Sequence, residues 1–511
     1  MSLFVSQTPV LLVALPLLCV PLLYFFEHAL ALSARPTALV MHTALMLLAL
    51  LAASIPLSEA GSIAVAVGGW PADLGIELEL DRTARLFLPA IAGLGLLGVM
   101  AARARHSTST YYTLFFLLLA GSNGLILSRD LFNVYVFIEI TSIASYALVG
   151  FRQDRRGFES AFKYLIVGSL ASLLILWGIA GLYVSAGSLS LPILAQRLGD
   201  SPQRFVAGSG ALITAGLLVK LGIVPFHAWK PDAMAGAPSA VAATLSGATV
   251  TAFFLLFVRV YMMLRAVGVA TPLVLGVFAG ASIVVGHFMA LRQTRLPRLL
   301  AYSSVAHFGY ILGGLVAGTQ AAIAAALLHA LHHGFMKAGL FYYASLPPAY
   351  ALQGADTPRR LAWLPTAALV ILSMGMIGIP PTAGFSSKWL IVLETARADS
   401  IHPVFAGVLA GLVALGGAIA LMYYLRVALV MRARKALRSE PGVDPQELLR
   451  SEPGVDPQEP PASEHPDRRQ LDRRRSALAL GVCVAYTLVA FWFTDALGGF
   501  AAAAAAQLME L

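Results

Sequence analysis

The stretch Gly210-Ala-Leu-Ile-Thr-Ala-Gly-Leu-Leu-Val-Lys-Leu-Gly-Ile-Val-Pro225 sets a single lysine, Lys220, inside an apolar run that a proline then breaks. Glu139, His307, His329, His333, Lys337 and Lys388 each fall inside long hydrophobic segments of their own. A charged side chain at the centre of a bilayer costs about 2.5–3.5 kcal/mol on insertion scales, so such groups face a partner or a wet cavity. One buried charge could be an accident. A series of lysine, glutamate and histidine over successive spans reads as a path for protons or ions.

Composition fixes the class. Of 511 residues, 58% are hydrophobic and only 12% charged, and the mean hydropathy is +0.79; a soluble protein carries roughly twice that charge fraction. Apolar spans of about 20 residues recur from 7–27 to 476–496, about fourteen in all, which predicts an all-α integral membrane protein. The first span lacks a basic lead and a small-residue cleavage site and reads as an anchor. The net charge of +9 does not signal nucleic acid. Basic residues sit in alternate loops: Arg103 and Arg105; Arg152, Arg155 and Arg156; Arg292, Arg295 and Arg298; Arg359 and Arg360; and the segment 432–475. The positive-inside rule then places these loops in the cytoplasm and both termini outside, as expected for a multi-pass protein of a bacterial inner membrane. Cys19 and Cys483 are too few to ligate an iron–sulfur cluster or a structural zinc ion. No phosphate-binding lysine loop, GxSxG or HExxH stretch is present, which removes ATP-driven and hydrolytic readings.

The expected organisation is a group of N-terminal spans (1–110), two membrane blocks (111–263 and 271–431), a polar loop (432–475) and a last span with its tail (476–511). Inside the loop, Leu437-Arg-Ser-Glu-Pro-Gly-Val-Asp-Pro-Gln-Glu447 is copied as 449–459. Such a polar repeat has no apolar face and is expected to be disordered. Each block holds an interrupted helix, broken at Pro225 in the first and at Pro380 and Pro381 in the second. Paired broken helices point to inverted repeats with sites near the bilayer midplane. A proline has no N–H to give, so Pro225 frees the carbonyl of Leu221 and Pro380 that of Met376. Inside a membrane each freed carbonyl needs water or a polar side chain.

His329, His333 and Lys337 follow the spacing i, i+4, i+8 and share one helix face, a ladder for protons in which histidine titrates near neutral pH. His332 is expected to turn away into a helix contact. Glu139 is expected to pair with Lys220 and modulate its charge. Lys388 emerges beyond the Gly- and Pro-rich break, and His307 stands as a connection between the halves.

These residues resemble a family. Leu218-Val-Lys-Leu-Gly-Ile-Val-Pro-Phe-His-Ala-Trp-Lys-Pro-Asp-Ala233, Leu299-Leu-Ala-Tyr-Ser-Ser-Val-Ala-His-Phe-Gly309, His333-Gly-Phe-Met-Lys-Ala338 and Gly378-Ile-Pro-Pro-Thr-Ala-Gly-Phe-Ser-Ser-Lys388 are similar to the antiporter-like subunits shared by respiratory complex I, membrane-bound hydrogenases and Mrp-type cation/proton antiporters. Gly68-Gly-Trp-Pro-Ala-Asp-Leu-Gly-Ile76 resembles the lead-in found in the Mrp branch of that family. The resemblance implies fourteen helices with two inverted five-helix repeats, helices 4–8 and 9–13, of which helices 7 and 12 are broken. It implies a proton path through Glu139, Lys220, His307, His329, His333, Lys337 and Lys388, with Thr251 expected to bridge the halves through a held water, no cofactor in this subunit, and other membrane subunits as partners. Protons, and Na+ or K+, are the implied cargo. Two departures stand out: Thr251 occupies the place of a bridging lysine, and Pro297 replaces a basic residue. They leave open a proton-conducting subunit of an ion-coupled inorganic carbon uptake complex, or a membrane anchor whose conduction is lost at Thr251, beside the main reading of a proton-translocating subunit of an antiporter or a complex I-like pump.

Overall fold

The computed structural model describes residues 2–56, 61–71, 75–103, 106, 108–346, 363–398, 401–438 and 466–510. Among these residues twelve helices are long and apolar enough to cross a membrane. To them the fold adds the 26-residue helix Gln320–Ser345, whose histidines and lysine lower its hydropathy, and the broken pair Leu364–Ile377 and Ala383–Ala396. The chain is an all-α membrane protein, as the apolar periodicity predicts. An antiparallel hairpin pairs β1 (Ile63–Ala66) with β2 (Glu77–Leu80) in the register Ile63 to Leu80.

Side-chain oxygens placed just before the helices fix where many of them start, each accepting from an otherwise orphaned backbone N–H. Asp81 caps Arg82–Met100, Asp130 caps Leu131–Gly150, Asp154 caps Arg155–Ala186 and Thr319 caps Gln320–Ser345. Pro297 lies in the first turn of Leu296–Ala317, where its missing N–H costs nothing. Eighteen-residue stretches within 239–266 and 296–317 are buried throughout, whereas about two thirds of those in Phe4–His28 and Ala34–Ser54 are not. A bundle built this way puts any polar group on the central helices far from lipid.

One expectation changes. The helices flanking the polar segment reach further than hydropathy predicts, to Arg438 on one side and from Pro466 on the other. The remaining 439–465, which holds most of the tandem copy, lies outside the described residues. The alanine-rich tail forms a helix, Thr494–Met509, that packs on Gln320–Ser345 and Arg82–Met100. Gln507 accepts there from the Arg82 backbone N–H at 2.9 Å. On that side of the molecule Arg259, 1% exposed, donates to Asp81 at 2.6 Å and to the Ile126 carbonyl, while Arg129 pairs with Glu79.

Candidate functional site

Both helix breaks follow one plan. Gln203–Leu221 ends at Gly222, whose φ of +71° is left-handed, and Leu364–Ile377 ends at Gly378 with φ +88°; glycine alone takes this backbone without strain. The chain resumes as Trp229–Gly236 in the first break and as Ala383–Ala396 in the second. Val224–Pro225 and Pro380–Pro381 are cis. The Leu221 carbonyl that Pro225 leaves free is met by the amine of Lys230 at 2.8 Å. In the second break Lys388 donates at 3.1 Å to the carbonyl of Ile377, four residues before Pro381. A polar side chain therefore satisfies each break, and in both it is a lysine.

Lys220 is 3% exposed and sits in the last turn before the first break. Its amine donates to Ser142 Oγ at 2.7 Å and to the Tyr146 hydroxyl at 3.3 Å, and lies 5.8 Å from the centre of the Phe253 ring. Glu139 stands one turn before Ser142 on the same helix, half-buried, with Oε1 bonded to no protein group. The expected direct Glu139–Lys220 pair is not formed: among the described residues Glu139 makes no salt bridge, and Ser142 takes the amine instead. A serine is the shorter side chain that fits between two packed helices, and it takes the amine that the carboxylate one turn earlier does not.

In the second block the histidines divide. His307 Nδ1 lies 3.0 Å from His329 Nε2, with the rings stacked at 5.2 Å. His329 Nδ1 lies 2.9 Å from Ser387 Oγ. His332, expected to turn away, reaches the same serine at 3.1 Å; one hydroxyl can serve both rings because it donates once and accepts twice. His333 shares the face of His329 but hydrogen-bonds no protein group, its ring lying 5.6 Å from that of His307 and 5.2 Å from that of Phe308. Lys337 donates to the Leu300 carbonyl at 3.1 Å and to the Tyr424 hydroxyl at 3.4 Å. The i, i+4, i+8 face is thus shared without being a hydrogen-bonded ladder: the three side chains meet Leu296–Ala317 at successive points, His307, Phe308 and Leu300, and not one another. Lys388 lies 4.6 Å above the Tyr310 ring and borders a cavity of about 350 Å³ lined by Gly378, Phe385, Trp389, Ala414 and Gly417.

Thr251 is buried, and its hydroxyl donates at 2.6 Å to the Gly247 carbonyl of its own helix, which carries a π-turn over Leu245–Thr249. The hydroxyl is spent locally. The amine that faces the second block is that of Lys230, fully buried and 4.6 Å over the ring of Phe308, a ring that also meets His333. In the sequence Lys230 is masked by its Trp-Lys-Pro-Asp context, which looks like a loop. Its position between two apolar segments is the signal that finds it. Ser142, Tyr146 and Ser387 carry no comparable signal.

Four buried lysines, a chain of imidazoles and two lysine-capped helix breaks define an ion-translocating membrane subunit of the kind built on paired interrupted helices. Residues 128–414, more than half of the chain, match the family described as NADH:quinone oxidoreductase/Mrp antiporter, TM, and the chain belongs to that family. It is 37% identical over 383 residues to the NADH-quinone oxidoreductase subunit N of Desulforudis audaxviator, a match covering 68% of this chain and 75% of that one. Its fold is similar to a chain of an archaeal respiratory membrane complex, the membrane-bound sulfane sulfur reductase, with a TM-score of 0.82, 26% identity and 98% of each chain covered. It is equally similar to a chain of the Mrp complex from Dietzia sp. DQ12-45-1b, with a TM-score of 0.81, 25% identity, and coverage of 100% of this chain and 98% of that one.

Proposed function

We propose that this chain is a proton-translocating membrane subunit of a multi-subunit cation/proton antiporter or complex I-like pump. One observation carries the reading. Lys220, Lys230, Lys337 and Lys388 are between 0% and 6% exposed, and among the described residues none of them forms a salt bridge. Buried charges are ordinarily paired or hydrogen-bonded to a counter-ion, and removing one partner of such a pair is strongly destabilising. An amine held only by serine, tyrosine and backbone oxygens is one that a proton enters and leaves without breaking an ion pair. Glu139, Lys220, Lys337 and Lys388, with His307, His329 and His333, are the groups along which the proton moves. Coupling to exchange of Na+ or K+, or to a redox step, resides in partner subunits. The alternation of basic loops supports a bacterial inner-membrane location with both termini outside.

Lys220→Ala tests the reading. The complex assembles, since Ser142 and Tyr146 remain paired with nothing charged, but proton movement stops. Measured with a pH-sensitive dye in proteoliposomes of the purified complex, a normal rate for Lys220→Ala overturns the assignment. The same assay on Lys388→Ala distinguishes a path through both blocks from one confined to the first.

A further inference from the structure

The second block contains a run of hydrogen bonds that the histidine route does not use. It starts at Lys337, whose amine donates to the Tyr424 hydroxyl at 3.4 Å. Tyr424 and Ser303 share a hydrogen bond at 3.0 Å, and the Tyr423 hydroxyl donates to Ser303 Oγ at 3.2 Å. Tyr423 also lies 3.3 Å from Nδ1 of His287, and Nε2 of the same imidazole contacts the Tyr310 hydroxyl. The Tyr310 ring in turn carries the amine of Lys388 at 4.6 Å. Ser303, His287, Tyr310, Tyr423, Tyr424 and Lys337 are each at most 1% exposed. The run crosses four helices: Pro272–Leu291, Leu296–Ala317, Gln320–Ser345 and Pro403–Arg438.

A second observation points to the same groups. A Cβ on Gly416 would fall 2.1 Å from the Tyr310 hydroxyl and 2.7 Å from His287 Nε2, and one on Gly417 would fall 3.0 Å from the Ile377 carbonyl and 3.2 Å from the Lys388 amine. Two adjacent glycines therefore leave room at both junctions near the Lys388 end. Packing alone needs none of these hydroxyls, since phenylalanine and alanine fill the same space without partners to satisfy.

We propose that Tyr424, Ser303, Tyr423, His287 and Tyr310 form a second proton wire joining Lys337 to Lys388, parallel to the His307–His329–Ser387 route. It rests on the reading of these two lysines as relay groups. Every hydroxyl in the wire can donate and accept, and a neutral imidazole accepts at one nitrogen while donating from the other. With Tyr423 donating to Ser303 and the imidazole protonated at Nδ1, the wire is set to pass a proton towards a neutral Lys337; turning the hydroxyls and placing the imidazole proton on Nε2 sets it for the reverse. In each transfer an oxygen or nitrogen gains a proton on one side and loses one on the other. One positive charge moves between the lysines, and the wire is left with its hydroxyls reversed and the His287 imidazole in its other tautomer. At the Lys388 end, rotation about the flexible lysine stem brings the amine from the face of the Tyr310 ring to its hydroxyl.

The test uses proton flux in proteoliposomes of the purified complex, with assembly followed by co-purification of the partner subunits. His287→Phe, His287→Gln and Tyr423→Phe are measured alone and combined with His329→Ala. A positioned proton-transfer group is worth at least about 10²-fold; with the other route intact, each single change lowers flux roughly two- to tenfold, and each combined change by the full factor. Glutamine keeps hydrogen bonds on both sides of position 287 but does not pass a proton through, so His287→Gln stays as slow as His287→Phe. Recovery of flux in His287→Gln, or combined variants no slower than His329→Ala, overturns the wire. If the His287 variants fail to assemble, Ser303→Ala and Tyr423→Phe, which each delete a single hydroxyl, decide by the same criterion. Lys388→Ala separates the two claims: unchanged flux in that variant removes the relay reading itself, whereas its loss beside normal His287 variants removes only the wire.

Discussion

The two helix breaks are alike in construction and differ in charge. Each ends its first arm on a left-handed glycine and resumes beyond a cis proline, and each has a lysine from the second arm donating to the last carbonyl of the first. Gly222 lies against the stem of Lys230 as Gly378 lies against that of Lys388. By this geometry the counterpart of Lys388 is Lys230, not Lys220. The residue before the last helical position is Lys220 in the first break and Met376 in the second. The first break therefore carries two buried amines where the second carries one, and the second block adds Lys337, imidazoles and hydroxyls. The comparison separates two jobs a lysine does at a break: satisfying a freed carbonyl, and presenting a proton to the neighbouring helix.

If that separation is right, substitutions at the equivalent sites differ in kind. The largest effect is expected at Lys220, where Lys220→Ala abolishes proton flux with assembly intact, because no backbone carbonyl depends on this amine. Lys388→Leu and Lys230→Leu are expected to lose both flux and stability, since the Ile377 or Leu221 carbonyl is left unsatisfied in the membrane at about 1–3 kcal/mol. Thermal unfolding of the detergent-solubilised complex measures the second loss; stability unchanged in both variants breaks the comparison. Next come Gly222→Ala and Gly378→Ala, which place a Cβ in the left-handed region at about 1–2 kcal/mol each and press on the lysine stems. Their penalties should match to within the scatter of such measurements, and a large penalty at only one site means the breaks are not equivalent. The smallest effect is expected at Thr251→Val. That hydroxyl serves only its own helix, and losing such a back-bonded hydroxyl leaves the helix near its original stability, so flux should stay within about twofold. A larger drop places Thr251 in the path.

The membrane class and both breaks were legible from hydropathy and proline placement, since the bilayer imposes length on every span and leaves a proline's carbonyl no solvent. Lys220, Lys337 and Lys388 were legible for the same reason: a charge within an apolar run has few explanations. What failed was side-chain direction. The shared face of His329, His333 and Lys337 followed from helical period, but which helix each tip meets depends on packing that a single sequence does not contain. His332, three residues along from His329, reaches the same serine because Ser387 stands between them. His287 was readable as an ionisable group in a span. Tyr310, Tyr423 and Tyr424 were not, since tyrosines in a core pack as well as they conduct.

The pairing of Arg259 with Asp81 bears on how the chain is made. The guanidinium belongs to a helix wholly enclosed by the bundle, and its carboxylate partner precedes it by 178 residues, beside the hairpin. Arg259 lies in the last two turns of residues 239–266, and until it meets Asp81 its charge has no counter-ion there. The enclosed helix therefore gains its ion pair only once the earlier-made Asp81 stands beside it. A chain that lost the early spans would offer the arginine to lipid, a marker by which quality control in the membrane can recognise it.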